Sequence, residues 1–281
     1  MNNVLFPHPK KELVNWRNIA YFLGLTFGLT WLVNLILWQT GFESGASAVQ
    51  LLQFQMLLPA FSAIVLGMFV FKGSQIYYKS FHERSRLFFY FYMIFTLIFA
   101  VLIVVALAAP DLTLMLSALS GGLNILGLVI LVVIRIYSGK ETFNQAGLSF
   151  GKTIQWITWG LAFVFFYALQ TALNALFNLG GPADPGTLLA GATGVDSTGL
   201  SNTTLRILLF FQTVLLGPFL GILLGFGEEY GWRGYLQSEL IKLGRIRGVM
   251  LLGLIWGVWH YPVIWMGHNY PGQPILVVRQ S

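Results

Sequence analysis

The chain alternates long apolar runs with short polar segments. A helix that crosses a bilayer needs roughly 20 mostly apolar residues. Runs that meet this length lie at about 19–38, 50–71, 87–108, 113–136, 153–178, 204–227 and 249–266. The pattern predicts an all-α fold: a polytopic transmembrane helical bundle with about seven spans. It shows no internal repeat, so we expect residues 1–281 to form a single membrane-embedded domain.

Composition supports a membrane protein. The 281 residues are 56% hydrophobic and only 9% charged, whereas about one quarter of a soluble domain is charged. The formal net charge is +6, but the basic residues lie in loops between apolar runs, where they contact anionic lipid head groups. We therefore predict membrane lipid as a partner and exclude nucleic acid.

The loop charges predict the orientation of the bundle. Basic residues collect in alternate loops, at Lys10, Lys11, Arg17, Lys72, Lys79, Arg84, Arg86, Lys140, Lys152, Lys242, Arg245 and Arg247. The other loops carry mainly acidic residues, at Glu43, Asp111, Asp184 and Asp196. Because basic loops stay on the cytoplasmic side, we expect a cytoplasmic N-terminus. We place the chain in a prokaryotic plasma membrane as an integral protein.

Glycines punctuate the apolar runs. They occur at Gly121, Gly122, Gly217, Gly221, Gly225, Gly253 and Gly257. Small residues let membrane helices approach closely, although ordinary glycine usage in membrane helices accounts for any one of these equally well.

Three charges stand at the cytoplasmic end of the sixth run. On a helix, Glu229 and Arg233 are four residues apart and can form an ion pair. Glu228 is rotated by about 100° from Glu229, so it is the carboxylate without that partner. A solvated charged face just outside the membrane accounts for the same spacing equally well.

A histidine lies inside the seventh run. Counted from Val249, His260 is about 16 Å along the helix, which places it within the bilayer. A short basic loop joins the sixth and seventh runs, so they are antiparallel neighbours, and Glu228 and His260 can face one cavity. A lone buried histidine is more often structural, but a carboxylate and an imidazole in a partly dry pocket can also activate water.

Two motifs mark a resemblance to a known family. The sequence Glu228-Glu229-Tyr230-Gly231-Trp232-Arg233 matches the pattern EExxxR, and Trp256 precedes His260 by four residues, followed by Tyr261-Pro262. The chain resembles the CPBP family of intramembrane proteases, which includes the type II CAAX prenyl endopeptidases and Abi-like bacteriocin-immunity proteins. The resemblance implies that Glu228 and His260 activate water. It also implies that Glu229 and Arg233 hold the site together.

The resemblance implies an intramembrane endopeptidase with its family core at about residues 150–281. It would hydrolyse a peptide bond of a membrane-anchored substrate, which in CAAX proteases is prenylated. The family is often labelled as metalloproteases. However, the chain has no HExxH motif, and two carboxylates plus one histidine make a sparse zinc site. We therefore expect no metal and no cofactor.

The chain departs from the family at its third motif, a histidine followed four residues later by Asn or Asp. His268 is followed at that spacing by Gly272, so the core is predicted to be incomplete at the C-terminus. The third motif is implied to stabilise the oxyanion, and losing one oxyanion donor typically costs about 10²–10³ in rate. We therefore expect this polypeptide to be a weak or inactive protease.

Two rival functions follow from the same residues. A catalytically inactive family member could act as a membrane scaffold or a bacteriocin-immunity protein. A transporter could use Glu228 as a proton-coupled carboxylate, but such transporters often contain internal repeats and interrupted helices in both halves, and neither is visible in the sequence. The substrate and the oligomeric state cannot be read from the sequence.

Overall fold

The computed structural model describes a helical protein. It describes residues 13–40, 46–73, 83–145, 147–149, 151–177, 184, 186, 199–212 and 217–267. No strand occurs in these parts of the chain. The predicted all-α fold is confirmed.

The helices follow one another with short connections. Their bounds are α1 Trp16–Thr40, α2 Ala46–Val65, α3 Glu83–Ala108, α4 Thr113–Ser138, α5 Lys140–Gln145, α6 Thr153–Leu176, α7 Asn202–Phe211, α8 Gly217–Leu220, α9 Ile222–Glu229, α10 Gln237–Leu240 and α11 Arg245–Trp265. Two π-helical segments, Leu66–Val70 and Tyr230–Leu236, and two 3₁₀ segments, Pro110–Leu112 and Ile241–Leu243, lie between these helices.

Six of the helices in the described ranges are long and apolar enough to cross a membrane. They correspond to six of the seven predicted runs and make the chain an integral membrane protein. The predicted span over 204–227 stays a prediction, because residues 213–216 lie outside the described residues. Its described parts are helical, in α7, α8 and α9.

The chain divides into two compact units. The first contains Met1–Phe81, Phe89–Ser120 and Ile222–Ser281, and the second contains His82–Phe88 and Gly121–Gly221. Helices α3 and α4 each contribute residues to both units. The predicted single domain, and the predicted family core at 150–281, stay predictions.

Aromatic side chains fill the core of the first unit. Phe22 of α1 packs edge-on against Trp232 with ring centroids 5.7 Å apart. Trp232 in turn packs against Trp259 of α11 at 5.6 Å. All three side chains are fully buried. Helix α2 packs against α1 and against α9, so this core joins the first two helices to the segment that carries the predicted site.

The second unit is held together near the start of α3. The hydroxyl of Ser138 donates a hydrogen bond to the backbone carbonyl of Arg84 at 3.0 Å. Phe88 packs edge-on against Phe143 with ring centroids 5.8 Å apart. The described residues of α6 are all exposed, as expected for an apolar helix that faces lipid.

Candidate active site

One continuous helical segment carries the first motif. It begins with α9, continues through the π-helical residues Tyr230–Leu236, and ends with α10 and the 3₁₀ turn at Ile241–Leu243. Single-turn π-helical segments inside helices are frequent at functional sites. Here the π-helical turn sits directly after the two glutamates, within the EExxxR motif.

Two glycines let this segment lie directly on α2. A Cβ atom at Gly227 would collide with the Met56 carbonyl oxygen, and one at Gly231 would collide with Pro59. Only glycine permits so close an approach of two helices. The contact holds the backbone on both sides of Glu228 against a long apolar helix.

The two adjacent glutamates lie in different surroundings, as the helical rotation predicts. The side chain of Glu229 is 50% exposed and pairs with Arg233, with Oε2 3.1 Å from Nη1. The side chain of Glu228 is only 15% exposed. The structure therefore separates one carboxylate in an exposed ion pair from one enclosed by protein.

Helix α11 brings two partners to Glu228. The indole Nε1 of Trp256 donates a hydrogen bond to Oε2 of Glu228 at 3.3 Å. The same carboxylate oxygen lies 3.8 Å from Nε2 of His260. The predicted juxtaposition of Glu228 and His260 thus exists, although the catalytic roles of these residues stay predictions.

The backbone determines which nitrogen of His260 carries a proton. Nδ1 of His260 lies 3.0 Å from the carbonyl oxygen of Trp256, and a carbonyl oxygen can only accept a hydrogen bond. Nδ1 therefore donates its proton to Trp256. In the neutral ring, Nε2 then presents its lone pair towards Glu228.

The remaining separation suits one water molecule. At 3.8 Å, Glu228 Oε2 and His260 Nε2 are too far apart for a direct hydrogen bond. A water oxygen can lie about 2.8 Å from both atoms, because their separation is less than twice that distance. An ionised carboxylate and a neutral imidazole both accept hydrogen bonds, so such a water would donate one proton to each.

The surroundings of Glu228 change the pKa of its carboxyl group. Glu228 lies outside the six long apolar helices, and burial raises the pKa of its carboxyl group to about 7. The hydrogen bond from Trp256 lowers this pKa, and the nearby charge of Glu229 raises it. A carboxyl group with a pKa near neutrality can both accept and return a proton at physiological pH.

Arg233 lies beside Trp256 at the exposed side of the site. Its guanidinium carbon lies 5.4 Å from the centre of the Trp256 ring, a distance at which a cation is attracted to the face of an aromatic ring. Trp256 therefore contacts three of the predicted site residues: Glu228 and His260 through hydrogen bonds, and Arg233 through its ring. The structure thus brings all four predicted residues, including Glu229, to one place.

The donor set does not match a metal centre. No group of three or more His, Cys, Asp or Glu side chains within the described ranges could hold a metal ion. Only Glu228 and His260 converge, because Glu229 turns towards Arg233. Zinc sites use at least three protein ligands. The residues described at this site therefore do not fit a zinc ion, and the predicted absence of a cofactor stays a prediction.

Sequence reasoning missed several residues that support the site. Gly227 and Gly231 flank Glu228 at the four-residue spacing of close helix contacts, a signal visible in the sequence. On α1, the buried Thr30 accepts a hydrogen bond from Trp259, the chain neighbour of His260. The predicted third-motif position, His268 with Gly272, lies outside the described residues.

Comparison with known proteins supports the resemblance read from the motifs. Residues 209–278 match the family model described as type II CAAX prenyl endopeptidase Rce1-like. The chain is also similar to "CAAX prenyl protease 2" of Methanococcus maripaludis, with 36% identity over 75 residues. That alignment covers 26% of this chain and 25% of the relative. No solved structure matches the chain. The resemblance to CPBP proteases is confirmed over the segment that carries both motifs.

Proposed function

We propose, starting from the similarity of residues 209–278 to type II CAAX prenyl endopeptidases, that the chain is an intramembrane endopeptidase. It hydrolyses a peptide bond of a membrane-associated substrate by means of an activated water molecule. The observation that carries the proposal is the 3.8 Å separation of Glu228 Oε2 and His260 Nε2, with Trp256 hydrogen-bonded to both residues.

The proposed chemistry uses the water between the two side chains. The Glu228 carboxylate accepts one proton of that water, while His260 Nε2 orients the other through a hydrogen bond. The resulting hydroxide forms a bond to the carbonyl carbon of the scissile peptide. When the carbon–nitrogen bond breaks, protonated Glu228 returns its proton to the leaving amine. General acid–base catalysis of this kind contributes typically about 10²–10⁴-fold in rate.

Glu229 and Arg233 have a supporting role in this proposal. Their ion pair places a guanidinium group beside Trp256, so it keeps the indole over the carboxylate that it contacts. Arg233 also offers positive charge at the exposed edge of the site, where it could help to bind substrate. No metal ion and no cofactor take part in the proposed reaction.

The substrate class follows from the location of the site and from the name of the relative. The chain is an integral membrane protein, so a peptide anchored in the same membrane can reach the site by lateral diffusion. A prenylated CAAX-type peptide is the proposed substrate, because the relative is named as a CAAX prenyl protease. With a cytoplasmic N-terminus, the site would open towards the cytoplasm of a prokaryotic cell.

The third motif bears on the expected rate. The expectation that this polypeptide is a weak or inactive protease stays a prediction, since the His268 segment lies outside the described residues. Even slow peptide cleavage that depends on Glu228 would separate an enzyme from the rival functions. A scaffold or an immunity protein would not depend on a proton-accepting carboxylate.

The test is cleavage of a prenylated peptide by the full chain in lipid vesicles. We expect Glu228→Gln and His260→Ala each to lower kcat by at least about 100-fold. The matched control is Glu239→Gln, on the same helical segment, because the Glu239 carboxylate contacts Lys242 at 3.0 Å and the Asn15 backbone amide at 3.4 Å rather than a site residue. This control should cleave at the wild-type rate.

Three other outcomes would count against the proposal. Full cleavage by both variants would show that the water is activated elsewhere. Absence of any cleavage by the folded wild-type chain, with an immunity or secretion phenotype that Glu228→Gln leaves unchanged, would favour a scaffold. Proton-driven solute uptake by reconstituted vesicles, lost in Glu228→Gln, would favour the transporter.

A further inference from the structure

Helix α1 carries a buried row of polar side chains opposite the site helix. Thr26, Thr30 and Asn34 follow one another at four-residue spacing, with exposed fractions of 0%, 0% and 5%. Residues at this spacing share one face of a helix. Polar side chains within membrane helices face the protein interior, and here that face contacts α11.

Thr30 makes the hydrogen bond that joins α1 to α11. Its hydroxyl oxygen accepts a hydrogen bond from the indole Nε1 of Trp259 at 2.9 Å. Both side chains are fully buried. An indole nitrogen is a donor only, and a buried donor without a partner is costly. The bond therefore determines how deeply and at what angle the Trp259 ring lies against α1.

Trp259 in turn lies against the imidazole of His260. The two ring centroids are 4.6 Å apart, and the ring planes are nearly perpendicular, at 85°. His260 also has its Nδ1 contact with the Trp256 carbonyl, at 3.0 Å, and a stacked contact with the Trp256 ring, with centroids 6.2 Å apart. That hydrogen bond restrains one edge of the ring, whereas Trp259 limits the rotation that would turn Nε2 away from Glu228.

We propose that Thr30 is a positioning residue of the active site. Its hydrogen bond holds Trp259, and Trp259 holds the imidazole of His260 in the orientation that faces Glu228. The proposal rests on the proposed function for its effect on rate. It extends the functional site to α1, which lies outside the segment, residues 209–278, that matches the protease family.

The test compares two valine substitutions on the same helix. Thr30→Val removes the acceptor of the Trp259 hydrogen bond without changing the size of the side chain. Thr26→Val makes the same chemical change at an equally buried threonine one turn away, whose hydroxyl has no hydrogen-bond partner among the described residues. Thr30→Ser keeps the oxygen atom. All variants are measured as full chains in lipid vesicles.

We expect Thr30→Val to lower kcat roughly 10-fold, the typical scale of one lost hydrogen bond to a buried donor, with KM within about twofold of the wild type. Thr26→Val and Thr30→Ser should retain the wild-type kcat. A split in which kcat falls while KM stays constant indicates a loss of transition-state interactions rather than of substrate binding.

A second readout does not need turnover. The chain contains four histidines, so the ring signals of histidine-labelled protein can be assigned by comparison with His260→Ala. The Trp259 ring lies close enough to shift the carbon-bound proton signals of His260. We expect these signals to move in Thr30→Val and to stay in place in Thr26→Val and Thr30→Ser.

Trp259→Phe tests the same hydrogen bond even if the Thr30→Val variant does not fold. It removes the donor of the same hydrogen bond and also changes the ring that faces His260, so it should lower kcat at least as much as Thr30→Val. Adding Thr30→Val to Trp259→Phe should cause little further loss, because the two residues act through one bond. Fully additive losses would overturn the proposal.

The outcomes separate this inference from the proposed function. If kcat and the His260 signals of Thr30→Val equal those of Thr26→Val, positioning by Thr30 is wrong while the protease assignment stands. If the wild-type chain does not cleave peptide, the protease assignment fails. The His260 signals then still decide whether Thr30 orients the ring. Equal losses of kcat in Thr30→Val and Thr26→Val would also overturn positioning.

Discussion

A close helix contact in the first unit predicts a strong effect of one methyl group. A Cβ atom added at Gly231 would lie 2.5 Å from the carbonyl carbon and 2.7 Å from the carbonyl oxygen of Pro59. These are backbone atoms of α2, so no side-chain rotation can relieve the collision. We therefore expect Gly231→Ala to push the site segment away from α2.

The size of the effect follows from the distances. Carbon atoms in ordinary contact are about 3.5–4.0 Å apart, so the two helices must separate by roughly 1 Å at this point. Overpacking a well-packed core costs about 1–3 kcal/mol, and contact with backbone favours the upper end. Alanine recovers up to about 1 kcal/mol through its higher helix propensity. The net loss of stability is therefore about 2 kcal/mol.

Thermal unfolding of the purified chain in detergent measures this loss. For a chain of 150–250 residues, 1 kcal/mol shifts Tm by about 2–4 °C, so Gly231→Ala should lower Tm by roughly 4–8 °C. The matched control is Gly225→Ala, on the same helical segment, because a Cβ atom there meets nothing within 4 Å. Equal Tm values for the two variants would refute the close-packing argument.

Two further predictions concern the charges of the site. Burial raises the pKa of Glu228 to about 7, and only its ionised form can accept a proton, so kcat/KM for peptide cleavage should rise as pH increases through about 7. Trp256→Phe removes the hydrogen bond that lowers this pKa, so the rise in the pH–rate profile should move to higher pH; an unchanged midpoint would contradict the assignment of Glu228 as the base. Arg233→Gln breaks an ion pair whose side chains are about half exposed, so it should change the free energy of unfolding by less than about 1 kcal/mol. A drop of several kcal/mol in chemical denaturation would show that the pair is not solvent-screened.

Helical geometry was sufficient to predict which residues meet at the site. The 100° rotation between neighbouring residues separates Glu229, in its pair with Arg233, from Glu228 on the buried side. A short loop makes the two site helices antiparallel, and this is enough to bring His260 to Glu228. Both inferences depend only on regular helical periodicity and short connections, so they can be made without knowledge of the packing.

Close packing could not be predicted in the same way. A Cβ atom at Gly225, Gly253 or Gly257, all within predicted apolar runs, would meet nothing within 4 Å. Close contacts occur instead at Gly227 and Gly231, whose partners lie on α2, and at Gly248, which contacts the backbone of Leu240 and Ile241. A glycine reports a close approach only when the facing helix is known, and a single sequence does not specify that helix.

The side chains proposed to react and the residues that hold them in place come from different parts of the chain. The groups proposed to act on the substrate, Glu228 and His260, lie in the segment that matches the protease family. The contacts that hold these groups in place come from earlier helices: Pro59 of α2 through Gly231, and Thr30 of α1 through Trp259. Because the reacting distance depends on both contacts, we expect substitutions that break either contact, in α1 or α2, to change the rate even where they leave the family motifs intact. A chain in which only the matched segment determined the rate would be incompatible with this arrangement.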